Sequence, residues 1–565
     1  MTNNSQHIPA AESLTVEFKS DRKRLSDDEL VQALVCLANT EGGELWLGVE
    51  DDATPTGLHA AHLSLNGLPG LIAARTSPAL QVSVEAFEVN GVHGAVTVAR
   101  IQVPKATHSE IATTSGQYLH RRIKQDGTPE CVAMLPHERT SRSSSIGIFD
   151  ASVQVVAGAT VADFDPIERE RLRQAVQYYG GDRVLLELED EQLDAALGFT
   201  ARSASGERLP TLTGLLVIGR EVAIRDFVPT HELAFQVLEQ EDIRFNEFRR
   251  FPLLKALEWL ETNFRPFNPE REIQVGLFRV PVPMVDLGAF REAVANALVH
   301  RDYHRLGAVH VRLNDNSLTI SNPGGLVDGV TIGNLLSTEP RPRNPRLADV
   351  MKRIGVVERS GRGVDKIYRG MLRFGRPQPD YSRTDYNNVI LRLETVEADE
   401  IFLRLVIEQE NQRGSLSVDG LIVLSALKGQ KRMNAEELAG LVQQDLAVTK
   451  RTVESLVEAG LVEAHGKTRG RTYTLSMAMY QAKGDKAAYT RQAGFSKLQN
   501  EQMVLNYALQ HGQIRRSEVM ALCHLTKDQA AKLLTALKDE GRLLQHGERR
   551  GAYYTGNSSA DVGLL

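Results

Sequence analysis

Residues 286–304 read Asp286-Leu-Gly-Ala-Phe-Arg-Glu-Ala-Val-Ala-Asn-Ala-Leu-Val-His-Arg-Asp-Tyr-His304, and the reading of the middle of the chain turns on them. Phe290, Val294, Ala297 and Leu298 form an apolar stripe at helical spacing, which predicts a helix packed on a core. Glu292, Asn296 and His300 recur every four residues and share another face of that helix. A carboxylate and an amide one turn apart can hold a magnesium ion and orient a water for attack on phosphate.

Working outward, 309–313 alternates as a strand, and a second strand at 318–320 runs into Ser321-Asn322-Pro323-Gly324-Gly325-Leu326. Arg343-Asn344-Pro345 precedes an apolar helix. Glu358-Arg359-Ser360-Gly361-Arg362-Gly363 opens another, whose backbone N–H groups are placed to face an anion. Glu-x-x-x-Asn, Arg-Asp-Tyr, Asn-Pro-Gly-Gly, Arg-Asn-Pro and Gly-x-Gly, in this order from Glu292 to Gly363, resemble the divergent GHKL-type ATP-binding domain named after the C-terminus of RecG-like proteins. The resemblance implies an ATP site with Asn296 as a magnesium ligand and Glu292 as the base that activates water. Asn322 would stand where better-known GHKL enzymes grip adenine with Asp, Gly324 and Gly325 would border the nucleotide, and Gly361 and Gly363 would lie in the lid over the phosphates. The alternative is a scaffold that binds no nucleotide, or binds it without hydrolysis. No Gly-x-x-x-x-Gly-Lys-Ser/Thr occurs, so a helicase motor is not expected.

Toward the N-terminus, Glu12-Ser-Leu-Thr-Val-Glu17-Phe-Lys19 is followed by an apolar helix at 30–37, then Ala38-Asn-Thr-Glu-Gly-Gly43 and a strand leading to Val49-Glu50-Asp51. With Tyr118-Leu-His-Arg121-Arg122, these motifs resemble the Alba-type module of the Schlafen superfamily over about 10–135. Two roles follow from the resemblance. Lys19, Arg121 and Arg122 would meet phosphates, or Glu12, Glu17 and Asp51 would converge on magnesium or manganese and cleave nucleic acid.

The C-terminal part repeats itself. With a shift of 81, Leu424 falls on Leu505, Glu437 on Glu518, Leu456 on Leu537, Gly460 on Gly541, Gly466 on Gly547 and Tyr473 on Tyr554. Two copies of one small domain are therefore expected. Each reads as three helices (421–427, 434–442, 449–459; 503–509, 515–522, 526–540) and a Gly-rich basic hairpin, with Thr449 and Thr526 as candidate N-caps. This order resembles the winged helix, which implies nucleic-acid contact through Lys450, Arg451 and Lys527 on the third helices. The wings would add Lys467, Arg469 and Arg471, and Arg549 and Arg550. The first copy is expected to be the better binder, because Glu548 dilutes the second wing. Such units also serve as protein-docking modules.

The bulk numbers fit this reading. A chain of 565 residues forms several domains. Nothing approaches the roughly 20 apolar residues of a membrane span, and the N-terminus does not read as a signal peptide. Cys36, Cys131 and Cys523 are far apart, which fits a reducing cytoplasm and no Cys-based zinc site. The net charge of -6 requires any nucleic-acid binding to come from local basic patches.

The expected fold class is multidomain α/β and α+β. An Alba/Schlafen-like module spans 1–138, an exposed linker 139–149, and a GHKL-like ATP-binding α/β sandwich 150–399, including a strand at 212–219. A helix-rich hinge at 400–415 leads to winged helices at 416–480 and 496–557 and a disordered tail at 558–565. The expected function is an ATP-responsive, nucleic-acid-binding transcriptional regulator of the cytoplasm, a homo-oligomer bound to DNA or RNA and using ATP and magnesium. The rivals are an ATP-gated, metal-dependent nuclease, possible in anti-phage defence, and a protein-interaction hub.

Overall fold

The computed structural model describes residues 8–556 apart from 92–93, 125, 204–205, 241, 276–277, 358–362, 431, 467–470, 477–496, 524 and 548–551. It is a mixed α/β, multidomain chain in two compact units. The first unit takes in Met1–Glu270, Pro283–Gly370 and Pro379–Val396, and the second Arg271–Val282, Met371–Gln378 and Glu397–Leu565. No helix among the described residues is long and apolar enough to cross a membrane.

Within the first unit, the N-terminal module is a four-stranded sheet built on the parallel pair Val16–Lys19 and Gly43–Leu47. Parallel neighbours need a crossover, and the helix Asp27–Ala38 supplies it. Ser26 and Glu29 close a capping box at its start, and Leu30, Leu34 and Leu37 bury against Leu45 and Ile101 of the sheet. A side chain at Gly43 would run into the backbone of Thr15, and its φ of +130° is open chiefly to glycine.

The middle carries a five-stranded sheet in the order Asp242–Arg249, Leu233–Glu239, Val309–Asn314, Ser317–Pro323, Asn388–Glu394. In Val309–Asn314 the residues Val309, Val311 and Leu313 point inward and alternate with polar neighbours, as the sequence pattern requires. The helix expected over 286–304 forms on this sheet as Leu287–Val299 and stops at His300, with Phe290 stacked on Phe264 at 4.2 Å between ring centroids.

Three expectations change here. The run at 212–219 is the helix Leu212–Ile218, with Thr211 capping Gly214 N at 3.2 Å. Its residues Leu215, Leu216, Val217 and Ile218 are buried on every side, so the run lacks the polar alternation that separates helix from strand. The supposed exposed connector contains the helix Pro136–Ser145, with Ser141, Arg142 and Ser144 buried. Cys36 is joined to Cys131 by a disulfide, with Cα atoms 5.9 Å apart, which removes the cysteine argument for a reducing compartment. Cys523 is free and buried.

In the second unit, Glu400–Arg413 is a helix, as expected of the hinge. The repeat then holds element by element. Helix Ala435–Val442, helix Leu446–Glu458, strand Val462–His465 and strand Thr472–Leu475 have counterparts at Arg516–Cys523, Lys527–Asp539, Leu543–His546 and Tyr553–Gly556. Each copy closes a three-stranded sheet of the same order, and even the His465–Thr474 hydrogen bond (2.8 Å) has its twin in His546–Thr555 (2.9 Å). Thr526 caps its helix, but Thr449 lies inside one, whose N-cap is Asp445. The tail at 558–565 lies outside the described residues.

Candidate nucleotide cavity and N-terminal acid cluster

Segments far apart in sequence meet at one cavity that opens to solvent. Leu287–Val299 presents Glu292, Asn296 and its C-cap His300 to it, Ser317–Pro323 contributes Asn322, the following loop Gly325, and the start of Gly363–Leu372 contributes Gly363. Gly363 lies so close to Glu292 that an added Cβ would strike its Oε1, with Asn296 Nδ2 3.5 Å from the same point. Glu292 is buried and Asn296 half-buried. Burial, reinforced by the charges of Arg343 and Lys352, pushes His300 down to about 4, so its ring is neutral at ordinary pH. Asn322 is buried, and its Nδ2 donates weakly to Pro323 O at 3.4 Å.

Gly324 stands apart from this group. It turns with φ +96° against Asp302 and Arg343 and does not line the cavity, because its tight turn points its Cα the other way. Gly361 lies outside the described residues. The sequence reading missed Arg341, Lys352 and Tyr381 in the cavity wall. Burial, then Tyr368 and Glu292, pushes the Tyr381 phenol up. Tyr381 belongs to none of the motifs, so nothing local could have flagged it.

At the N-terminus, four of the expected residues form one cluster. Glu12 accepts a hydrogen bond from Phe18 N at 2.8 Å. Glu17 meets Lys19 Nζ at 2.5 Å and Arg121 Nη2 at 2.6 Å. Burial raises the Glu12 carboxyl, against the Phe18 N–H, and the neighbouring Glu17 raises it further. Asp51 is exposed in the turn beyond the strand. The acid turned back toward the strand end is Glu50, which accepts from Ser20 Oγ (2.8 Å) and Thr56 Oγ1 (2.6 Å). Among the described residues no group of three His, Cys, Asp or Glu is placed to hold a metal, so Glu12, Glu17 and Asp51 do not converge as expected.

Arg121 is also corrected. Its guanidinium is buried, spent on Glu17 and on Val16 O at 2.9 Å, so it is not displayed to a phosphate. Arg122, one residue on, points outward and pairs with Glu130 at 2.6 Å. The Ala-Asn-Thr motif proves to be a brace. Asn39 Nδ2 donates to Ile111 O (2.7 Å) and Leu119 O (2.9 Å), and Thr40 Oγ1 accepts from Arg121 N (2.8 Å).

In the repeats, Lys450, Arg451 and Lys527 are exposed on their helices. Arg471 is tied to Glu454 at 3.0 Å. Lys467, Arg469, Arg549 and Arg550 lie outside the described residues.

Residues 12–129 match the family described as Schlafen, AlbA_2, and 307–393 the one described as Putative ATP-dependent DNA helicase recG C-terminal. A domain of unknown function matches 138–234. The fold and sites thus define a chain with a Schlafen/AlbA-like module and an ATPase-like module, which point to nucleic-acid binding and an ATP-related function. Glu292 and Asn296 precede the matched 307–393, whereas Asn322 and Gly363 fall within it. No curated protein matches the sequence. Among solved structures the chain is similar to the DIP2311 protein from Corynebacterium diphtheriae, at 22% identity and a TM-score of 0.50. The likeness covers 96% of this chain and 95% of that one, and at this identity it speaks to fold alone.

Proposed function

We propose that this protein is an ATP-responsive, nucleic-acid-binding transcriptional regulator. The observation that carries the reading is the convergence of Glu292, Asn296, Asn322, Gly325 and Gly363 on one cavity. Its lining, and the bare Cα of Gly363 against a carboxylate and an amide, fit a nucleotide with its magnesium ion. Asn296 would offer its amide oxygen to the magnesium, and Glu292, held inside the wall, would orient water beside the phosphates. Bound magnesium would neutralise phosphate charge and polarise the terminal phosphoryl group. Asn322 would meet the base, since an amide can both accept from and donate to the edge of adenine.

The order of helices and strands in the two C-terminal copies supports reading them as winged helices, in which the third helix would enter the major groove. Lys450 and Arg451 on one copy and Lys527 on the other would supply contacts there. At the N-terminal module Arg122 is exposed and would have to exchange its partner Glu130 for a phosphate. The nuclease alternative has two of its acids together, Glu12 and Glu17, but Glu17 is already neutralised by Arg121 and Lys19.

The test is calorimetric titration of the full chain with ATP and magnesium, beside gel shifts on duplex DNA and tRNA. Binding that weakens at least tenfold in Asn296→Ala, together with a shift of the nucleic acid, supports the regulator. Absence of nucleotide binding overturns it. Cleavage lost in Glu17→Ala would replace it with the nuclease.

A further inference from the structure

The serine-rich helix Pro136–Ser145 belongs to neither site, yet buried polar groups hold it from both sides. Toward the cavity, Ser141 Oγ donates to Asp302, and Arg343 Nη1 donates to Ser145 Oγ at 2.6 Å. The other arm of Arg343 donates to Gly325 O at 2.9 Å, and Gly325 is part of the cavity wall. Arg142 Nη1 meets Asp328 at 3.0 Å, next to the cavity-lining Val327. Toward the N-terminal module, Arg142 Nη2 donates to Ala106 O at 2.5 Å. Ala106 N in turn donates to Ala38 O at 2.8 Å, at the foot of the Asn39-Thr40 brace that holds Arg121.

Arg142 is 4% exposed and Arg343 3%, and a buried guanidinium that loses its partner costs several kcal/mol. A shift of the 325–328 wall therefore drags both arginines, and the helix with them, rather than leaving them unpaired. Arg-Asp-Tyr and Arg-Asn-Pro, which the catalytic reading leaves idle, supply Asp302 and Arg343 to this network.

We propose that the helix Pro136–Ser145 is the coupling element that transmits occupancy of the cavity to the N-terminal nucleic-acid module. The inference rests on the nucleotide-binding reading above and adds the route. Linkage makes the effect reciprocal, so whatever tightens the module's grip tightens nucleotide binding equally.

The experiment is amide hydrogen exchange on the full chain with and without saturating ATP and magnesium, with calorimetry in parallel to establish that nucleotide binds. The expected result is exchange slowed about fivefold or more, the low end of ordinary coupling, in 136–145 and 104–121 as well as at the cavity. Ser141→Ala/Ser145→Ala removes two hydroxyls and keeps helix propensity. In that variant the slowing should stay at the cavity, with nucleotide affinity within about twofold of wild type. Slowing confined to the cavity in wild type overturns the coupling while leaving nucleotide binding intact, and so does equal spread in the variant. A calorimetric blank overturns both.

Discussion

A methyl group at Gly363 would land on Glu292 Oε1, so this glycine sets where the carboxylate can lie. In Gly363→Ala the carboxylate or the helix start must move away, and nucleotide affinity should fall at least tenfold by calorimetry with little change in melting temperature. Affinity within twofold of wild type would mean that this corner does not face the ligand. Arg121 and Arg122 make the opposite kind of contrast. Removing Arg121 leaves the buried Glu17 with Lys19 alone, and breaking a buried pair costs about 3–5 kcal/mol. Arg121→Met should therefore lower the module's unfolding midpoint sharply, and Glu17→Leu in the same chain should restore part of it. Arg122→Ala, at the surface, should change stability by only about 0.5 kcal/mol. Equal effects of the two arginines on stability would refute the assignment. The sequence shows two adjacent arginines on a strand and hence opposite faces, but which face is inward depends on how the strand packs against Val16 and Glu17, about a hundred residues away. That is why the cluster's members were legible and the role of Arg121 was not.

Elements were legible where periodicity and caps agreed. The helix Leu287–Val299 shows an apolar stripe and a separate polar face, and it folds as read. The 212–219 run and the serine-rich helix were not legible, for opposite reasons. The first is apolar all round because it is wholly buried, and the second is polar because its burial is by hydrogen bonds and ion pairs rather than by apolar packing. His231, at the entry to the strand Leu233–Glu239, illustrates the cost of such burial. It has no exposed surface, its Nε2 lies 2.9 Å from Phe251 O, and burial pushes it down to about 4, against that hydrogen bond. The unfolded chain takes up this proton near pH 6.5 while the folded chain does not, so stability is lost as pH falls from about 6.5 to about 4. The loss attributable to His231 is at most about 3 kcal/mol at 1.36 kcal/mol per pKa unit. Denaturant unfolding at pH 7 and pH 4.5 should show this slope, with part of it absent in His231→Gln. An unchanged slope in the variant would show that other groups carry the acid sensitivity.

For the molecule as a whole, the duplication was legible because glycines, a cap and core leucines recur at one spacing, and every later element boundary obeys it. The weaving of 271–282 and 371–378 into the second unit was not, because it depends on contacts between segments that no local pattern marks. The structure adds one difference between the two copies. In the first, Arg471 is paired with Glu454, which stands on the third helix Leu446–Glu458 beside the exposed Lys450 and Arg451. In the second, the equivalent positions are Thr535 and Ala552, and Lys527, Lys532 and Lys538 are exposed on the helix Lys527–Asp539 with no such tie among the described residues. Phosphate binding is set by the number of cations free to displace counterions, so an acid on the groove-facing helix lowers affinity and flattens its salt dependence. If the first copy docks on duplex DNA, Glu454→Gln removes one like charge from the phosphates and frees Arg471. Affinity should then rise about threefold or more at moderate salt, and the log–log salt slope should steepen by about one. Lys532→Ala should do the reverse if the second copy docks. Gel-shift titrations of both variants across a salt series decide between them. A gain in Glu454→Gln with no loss in Lys532→Ala assigns the duplex to the first copy, the converse assigns it to the second, and no change in either removes duplex DNA from this pair of domains.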